Sequence, residues 1–443
     1  MANTLLTIKD VTREALAVLH EELQLAKHCV RKYQDRFGSR AGQIGTSVDV
    51  RKPPRYSVYS SAANGGSVDI TGQLQDSYED YVTIDASAAS ATGGRQIIPM
   101  SFSTQDLSLK INDFSKQFIR PAVSRLARQI DLDGFKMLKT SPMIRVARQG
   151  AASTTAIAFE DYTNMGAVLT TQLAPESDRK LFAGAFDHAA VVAGNKGLFQ
   201  SSTEIAKQYE KGYMGTSAGF DWIDTQNMPN IAFSATHLQN AEVPGVVSAT
   251  VGGGGAFTPA EGDNFIWVTG YTASRVIEAG CSLTIGATYA IDPETQLQQS
   301  YLYTGVVASK VTFGAVNTDP VKITFAGPFY TTATNPTVAN VTHLPTVGAT
   351  VVLVENATAT ALQSKSCKMV FGLHKDALAL AVMALEVPGG VDMGASESFE
   401  GIGLRLVRQF NALTDQWVCR LETQYGWAQL RPELCVGTIG KVS

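Results

Sequence analysis

The chain is poor in charge, and this shortage already restricts its role. Only 17% of its 443 residues are Asp, Glu, Lys or Arg, against roughly 25% in an average soluble domain. The 36 basic and 40 acidic residues give a net charge of -4, so the chain is not a general polyanion binder. Hydrophobic residues make up 44%, which excludes a wholly disordered chain and predicts about two to four domains.

Cysteine is scarce as well, and no two cysteines have the spacing of a metal or redox motif. The five are Cys29, Cys281, Cys367, Cys419 and Cys435. Without a CxxC pair we expect five reduced, mostly buried thiols rather than disulfides or a zinc site. No apolar run approaches the ~20 residues of a membrane helix, and the first residues lack a secretion signal. We therefore expect no membrane partner and a cytoplasmic product.

Motifs that carry catalysis are missing too. The sequence has no HExxH and no GxSxG, and its six histidines are scattered. The run Gly252–Gly255 is not followed by the Gly-Lys-Ser/Thr of a phosphate loop, so it predicts a flexible turn. We expect no enzymatic activity, no catalytic residue, no cofactor and no metal site.

What the sequence does contain begins with an amphipathic pattern. Residues 7–37 have the apolar spacing of a single helix. Thr7 and Asp10 resemble a capping box at its start, and Gly38 is a candidate C-cap. Acidic side chains lie near the front of this segment and basic ones near its back, which suits the helix macrodipole.

Residues 44–105 predict a long two-stranded hairpin. One strand includes residues 48–50 and is interrupted by prolines, and the return strand covers residues 95–102. A lone hairpin is marginally stable, so we expect this one to lie on another body such as a neighbouring subunit. Three basic residues at its base are Arg51, Lys52 and Arg55. We interpret them as an intersubunit salt-bridge cluster, with weak nucleic-acid contact as the alternative.

The central part of the chain alternates helical and extended patterns. Residues 106–140 predict a long helix, kinked or divided at Pro121. Residues 146–230 predict a mixed α/β segment. Its candidate strands are 154–159 and 188–193, and its candidate helices are 161–173 and 201–213.

Residues 231–365 differ in composition from the rest. Only 12 of these 135 residues are charged, and short β-prone runs alternate with Gly, Pro and Asn. The runs are 265–268, 282–285, 311–313, 321–325 and 350–354. The pattern predicts an inserted all-β barrel or sandwich. Helix-forming sequence resumes at 377–385, and the chain closes with a predicted hairpin (404–410 with 417–425) and a strand near 434–439.

The order of these segments resembles that of tailed-phage major capsid proteins of the Johnson fold. The nearest likeness is to coat proteins of short-tailed Salmonella-type phages, which carry an inserted β-barrel domain. Three short stretches support the resemblance: Arg31-Lys-Tyr33; Ala218-Gly-Phe-Asp221 with Met228-Pro229; and Tyr425-Gly426 with Arg431-Pro-Glu433.

The resemblance implies an α+β subunit with named parts. They are a helical N-arm (1–38), an extended E-loop hairpin (39–105), a peripheral domain with the spine helix (106–145 and 401–443), an axial domain (146–230 and 366–400) and the inserted β-barrel domain (231–365). Pro121 departs from the smooth spine helix of the family.

The resemblance also implies the function. Copies of such a protein form pentamers and hexamers in an icosahedral virion shell around double-stranded DNA, assembled in the host cytoplasm with a scaffolding and a portal protein. Contact with the DNA would be weak and non-specific, since the chain is nearly neutral. Asp10, Glu14 and Glu21 at the front of the arm are candidates to contact a basic scaffold helix, although the helix dipole explains their positions equally well.

Two other functions are open at this point. A phage tail-tube or baseplate protein could share β-rich insertions and oligomeric arms, but it would form tubes or rings. A glycan-binding protein could use the Thr-rich β domain, and it would be a soluble monomer with affinity for sugars.

Overall fold

A computed structural model describes most of the chain. The described residues are 8–31, 47–51, 81–87, 90, 92–103, 119–147, 158–194, 216–238, 245–247, 259–332, 338–354, 362–413 and 416–442. They form an α+β protein, as predicted. Contacts divide the chain into two units. Unit 1 comprises 1–51, 81–137 and 375–430, and unit 2 comprises 52–80, 138–374 and 431–443.

Helices are few among the described residues. They are α1 (Ile8–Glu22), α2 (Arg120–Lys139), α3 (Phe159–Thr171) and α4 (Ala185–Gly194). The strands are β1 (Ser47–Arg51), β2 (Tyr81–Asp85), β3 (Gly93–Ser103), β4 (Ile144–Arg145), β5 (Arg179–Ala183), β6 (Thr216–Ser217), β7 (Phe220–Asp224), β8 (Asn230–Ala232), β9 (Gly245–Val246), β10 (Phe265–Thr269), β11 (Val276–Ile277), β12 (Ser282–Ile291), β13 (Gln298–Val306), β14 (Val311–Thr312), β15 (Val321–Thr324), β16 (Val351–Leu353), β17 (Ser366–His374), β18 (Leu378–Met383), β19 (Met393–Phe399), β20 (Ile402–Asn411), β21 (Gln416–Gln429) and β22 (Cys435–Val442).

The long strand β21 organises the sheet of unit 1. One edge pairs antiparallel with β3 over residues 416–426, and the other pairs with β20 and then β18, with β19 beside β20. Side chains of β21 alternate between the two faces of the sheet. On one face Trp427 is buried and donates its indole N–H to the carbonyl oxygen of Ile130 in α2, at 3.0 Å. Pairing with three strands and packing against α2 place β21 in the core of the unit.

A two-stranded ribbon, β1 with β2, packs against the end of that sheet. Its apolar side chains form one buried cluster with residues of β18 and β21; the members are Val48, Val50, Ile84, Ala86, Ala379, Ala381, Ala428 and Leu430. Gln424 donates its side-chain N–H to the carbonyl oxygen of Ala86 at 2.6 Å. Gly426 permits the close approach, because a Cβ there would lie 2.2 Å from the carbonyl oxygen of Asp85.

Unit 2 is built on a seven-stranded mixed sheet. Its strands run in the order β4-β22-β17-β5-β7-β6, and β8 also pairs with β17. The buried Arg179 binds the turn that follows α3. It donates to the carbonyl oxygens of Ala174 at 2.6 Å and Pro175 at 2.8 Å. Burial lowers the pKa of this guanidinium, yet its donors are used by these two carbonyls and by the hydroxyl of Thr170 in the last turn of α3, at 3.1 Å.

The described residues of 231–365 form short strands and no α-helix, as predicted. The five predicted runs coincide with strands β10, β12, β14, β15 and β16. They belong to three small sheets, ordered β15-β10-β9, β11-β14 and β13-β12-β16. Within 245–247, 259–332 and 338–354 these sheets do not close into a barrel, so the expected barrel is not found there. The run Gly252–Gly255 lies outside the described residues.

Several local predictions were wrong. The segment predicted as a strand at 188–193 lies in α4, whose four alanines favour a helix. The helix predicted at 377–385 is instead the strand β18, whose alternating Leu and Ala side chains are buried on both faces. The return strand β3 exists but pairs with β21, not with β1, because β1 pairs with β2.

Other predictions are confirmed or refined. The helix near 161–173 and the hairpin of β20 with β21 are present. The final strand β22 is present and lies in the sheet of unit 2. Pro121 is the second residue of α2, at an end of the described helix that tolerates proline, so it does not kink the helix within 120–139. The candidate strand at 154–159 and the candidate helix at 201–213 lie largely or wholly outside the described residues.

Candidate functional site

The N-terminal arm is fixed to unit 1 by a buried carboxylate. Asp131 of α2 accepts the backbone N–H groups of Gln24, at 2.7 Å, and Ala26, at 3.2 Å. Burial raises the pKa of Asp131 to about 6, although these backbone N–H groups act in the opposite direction. The two contacts account for the end of α1: Leu23 still donates to the carbonyl oxygen of Leu19 at 3.2 Å, whereas the Gln24 and Ala26 N–H groups bond to Asp131 instead of helical carbonyls. The single helix predicted over 7–37 was therefore too long.

After these contacts with Asp131, the arm pairs at Val30 with the edge of strand β18. The N–H of Val30 donates to the carbonyl oxygen of Leu378, and the N–H of Leu380 donates to that of Val30, both at 3.0 Å. At Val30, pairing with β18 thus stands where the sequence predicted a helix.

Basic side chains of the arm contact Glu400 in the turn between β19 and β20. Glu400 lies 2.7 Å from the ring nitrogen Nε2 of His20 and 3.5 Å from the guanidinium of Arg31. Gly401 has a φ of +83°, and a Cβ there would lie 2.7 Å from the carbonyl oxygen of Arg31. A glycine is therefore required for the arm to pass this turn.

The three acidic candidates of the arm have different environments. Glu14 lies 3.8 Å from the guanidinium of Arg120 in α2, in a solvent-accessible ion pair. Glu21 is exposed, and its backbone carbonyl accepts from the Lys27 ammonium at 2.6 Å. Asp10 lies in the first turn of α1, and its side chain is outside the described part. Glu14 and Glu21 are thus both accessible, and Glu14 has a weak partner within the chain.

The described residues include only one member of the predicted basic cluster, Arg51. Arg51 is the last residue of β1, and its side chain is outside the described part. Lys52 and Arg55 lie in 52–80, outside the described residues.

Sequence reasoning missed a buried carboxylate surrounded by arginines on the sheet of unit 1. The Glu422 side chain of β21 is 0% exposed. Its Oε2 accepts from the Nε of Arg95 in β3 at 3.0 Å and from Nη2 of Arg405 in β20 at 2.5 Å. Arg420 makes an ion pair with its Oε1. We call these four residues the Glu422 cluster.

Electrostatics keep Glu422 ionised. Burial raises the pKa of this carboxyl, but hydrogen bonds from Arg95 and Arg405 outweigh that effect and hold the pKa below its ordinary value. The only sequence signal was an Arg-Leu-Glu triplet inside an apolar strand, which places Arg420 and Glu422 on the same face.

The cysteines of the chain are buried thiols. All five cysteines are free and buried, as predicted, and burial raises the pKa of Cys29 to about 12. Among the described residues no group of three or more His, Cys, Asp or Glu could hold a metal ion. Within the same residues no helix is both long and apolar enough to cross a membrane.

Comparison with known proteins identifies the class. The family model of the P22 coat protein, described as gene protein 5, matches residues 1–440. The chain therefore belongs to the P22 coat protein family. This confirms the resemblance to tailed-phage major capsid proteins of the Johnson fold. The protein is a structural coat protein that assembles in many copies and is a component of a virion.

Solved structures give distant likenesses. A chain from Mycobacterium phage Che8 is 10% identical with a TM-score of 0.45, and the match covers 94% of this chain and 90% of that one. A chain from the capsid of Ralstonia phage GP4 is 7% identical with a TM-score of 0.41, covering 93% and 92%. No curated protein matches the sequence. The family assignment rests on the match over residues 1–440.

Proposed function

We propose that this coat protein forms the icosahedral shell around double-stranded viral DNA, arranged as pentamers and hexamers. The observation that carries the proposal is the family match over residues 1–440. The arm contacts at Asp131 and Glu400 support it, because extended segments that are fixed at a few points suit a subunit that makes many modest contacts.

The proposed subunit keeps the parts that the resemblance implies. They are the N-arm (1–38), E-loop (39–105), peripheral domain (106–145 and 401–443), axial domain (146–230 and 366–400) and insertion domain (231–365). In this proposal Arg51, Lys52 and Arg55 at the base of the E-loop make salt bridges to a neighbouring subunit. Assembly takes place in the host cytoplasm, without enzymatic activity of this chain.

A scaffolding protein and a portal protein are the proposed assembly partners. Asp10, Glu14 and Glu21 would meet a basic helix of the scaffold. The exposure of Glu21 and the weak, accessible ion pair of Glu14 support this role, because neither carboxylate is sequestered inside the subunit. The net charge of -4 supports weak, non-specific contact with packaged DNA.

Electron microscopy of the fast-sedimenting fraction tests the proposal. The chain is expressed in bacteria alone and together with its candidate scaffold. Closed icosahedral particles are expected, whereas tubes or stacked rings would indicate a tail component. Soluble monomers in both preparations would contradict shell formation.

Charge reversal tests the scaffold contact separately. The triple variant Asp10→Lys, Glu14→Lys, Glu21→Lys should lose scaffold-dependent assembly while it remains folded by circular dichroism. The matched control reverses three exposed acidic residues of unit 2: Glu176→Lys, Asp178→Lys and Glu294→Lys. Unchanged assembly of the arm variant would remove these residues from the scaffold contact.

A further inference from the structure

The Glu422 cluster has an excess of positive charge. Three guanidinium groups surround one carboxylate, which leaves a formal charge of +2. Among the described residues Glu422 is the one carboxylate within ion-pair distance of these arginines. The Arg405 side chain is only 8% exposed, so part of this charge is removed from water. Buried charge of one sign is costly, and a further anion beside the cluster would lower that cost.

The same cluster has donors available at the surface. The side chains of Arg95 and Arg420 are 32% and 40% exposed. Both belong to the sheet face opposite to that of Tyr425 and Trp427, because residues 420 and 422 alternate with them along β21. A group that arrives at this face can contact both guanidinium groups without unfolding the sheet.

Apolar side chains surround these donors. Ile97 and Pro99 of β3 lie opposite Glu422 and Arg420 in the register, and Val418 lies two residues before Arg420, on the same face. All three are exposed, Ile97 to 45% and Val418 to 40%. We call this surface, Ile97, Pro99 and Val418 with Arg95, Arg405 and Arg420, the basic sheet face. Arginine among exposed apolar side chains is typical of protein–protein contacts.

A protein carboxylate fits this surface better than a nucleic-acid phosphate. The two exposed guanidinium groups are held against Glu422, and they lie between apolar side chains rather than in an open row of cations. Phosphate backbones are bound mainly through several exposed Lys and Arg side chains. A coat protein meets further copies of itself at high local concentration, and this chain carries 40 acidic residues.

We propose that the basic sheet face receives a carboxylate-bearing segment of a second copy of this chain. The inference rests on the proposed shell, where many copies meet. The carboxylate binds Arg95 and Arg420, and the apolar part of the segment covers Ile97, Pro99 and Val418. Contact with a second copy thereby compensates the charge that Glu422 leaves unbalanced.

Photo-crosslinking at this face tests the proposal. Val418 is replaced by p-benzoylphenylalanine in the full chain, assembled particles are irradiated, and the products are analysed by mass spectrometry. The expected product is a covalent dimer in which residue 418 joins an Asp- or Glu-containing peptide of a second copy. Crosslinks within one chain only, to a peptide without an acidic residue, to nucleic acid, or none at all would overturn the inference.

Charge reversal at the same face gives an independent measurement. Arg420→Glu should slow assembly by about tenfold or more, because like charges then meet at the contact. Arg128→Glu, at an exposed position of α2 in the same unit, is the matched control. Thermal unfolding of the unassembled chains separates loss of contact from loss of fold. Equal assembly rates of the two variants would contradict the proposal.

The two proposals can fail separately. If the wild-type chain forms closed shells but residue 418 gives no crosslink between copies, only the basic sheet face is wrong. If it forms tubes or rings, the icosahedral shell is wrong, and the crosslink in those assemblies still decides the role of this face. Monomers without crosslinks would contradict both.

Discussion

The hydroxyl of Tyr425 donates a hydrogen bond to the carboxylate of Asp133 at 2.8 Å, and this bond joins β21 to α2 across 292 residues of sequence. Tyr425 is fully buried, and burial together with the nearby Asp133 raises the pKa of its hydroxyl. Since the pKa of this hydroxyl lies above its ordinary value, it is protonated and acts as the donor at neutral pH.

Tyr425→Phe should lower the free energy of unfolding by about 1 kcal/mol, because it removes one hydrogen bond between a buried donor and the half-buried carboxylate of Asp133. Chemical denaturation of Tyr425→Phe, Asp133→Asn and the double variant gives the coupling energy between the two residues. Additive losses in the double variant would show that the pair is not coupled.

Gly426→Ala should detach the ribbon of β1 and β2 from the sheet, because the new Cβ would lie 2.2 Å from the carbonyl oxygen of Asp85. We expect a loss of about 1–3 kcal/mol, the usual cost of overpacking. Gly389→Ala is the matched control, since nothing lies within 4 Å of a Cβ there. Similar denaturation midpoints for the two variants would contradict the predicted steric clash.

Glu422→Gln should destabilise unit 1 strongly, by about 3–5 kcal/mol, because it leaves three arginines without their buried carboxylate. The pKa of Glu422 is lowered in the folded chain, so its stabilisation is present above the ordinary carboxyl pKa and is lost as pH falls through the folded value. Glu386→Gln is the control, because its side chain is exposed and the Glu386 carbonyl that accepts from Arg405 is unchanged. Denaturation at neutral pH should separate the two variants clearly.

His237 should make unit 2 sensitive to acid. Burial lowers its pKa to about 4, despite a smaller opposite effect of the Val276 backbone. The unfolded chain takes up the proton near pH 6.5 and the folded chain only near pH 4, so stability falls as pH decreases between these values, by about 3 kcal/mol.

The test follows urea denaturation from pH 7 to pH 4. His237→Leu should flatten the pH dependence, whereas His343→Leu, at an exposed histidine of the same unit, should leave it unchanged. Parallel curves for the wild-type chain and His237→Leu would show that another group controls acid stability.

The candidate site was only partly predictable. The acidic residues of the arm could be found because an amphipathic helix with clustered charges is a local pattern, and α1 has it. The Glu422 cluster could not, because Arg95 and Arg405 lie 327 and 17 residues from Glu422 and meet it only through strand register. The length of α1 was overestimated for the same reason, since Asp131 lies 107 residues from the Gln24 N–H that it accepts.

Features that depend on neighbouring residues could be inferred from the chain alone: an α+β composition, the amphipathic start of the arm, the β-rich pattern of residues 231–365, the terminal hairpin and the lack of a disulfide pattern. Tertiary packing determines which strands pair, because every sequence carries the same backbone hydrogen-bonding groups, and β3 meets β21 only within the packed sheet. It also decided that Leu378–Met383 is a strand, since burial on both faces and pairing with β21 overcome the helix propensity of Leu and Ala. The charge balance around Glu422 also depends on the tertiary structure, because only the folded sheet brings Arg95, Arg405 and Arg420 to this carboxylate.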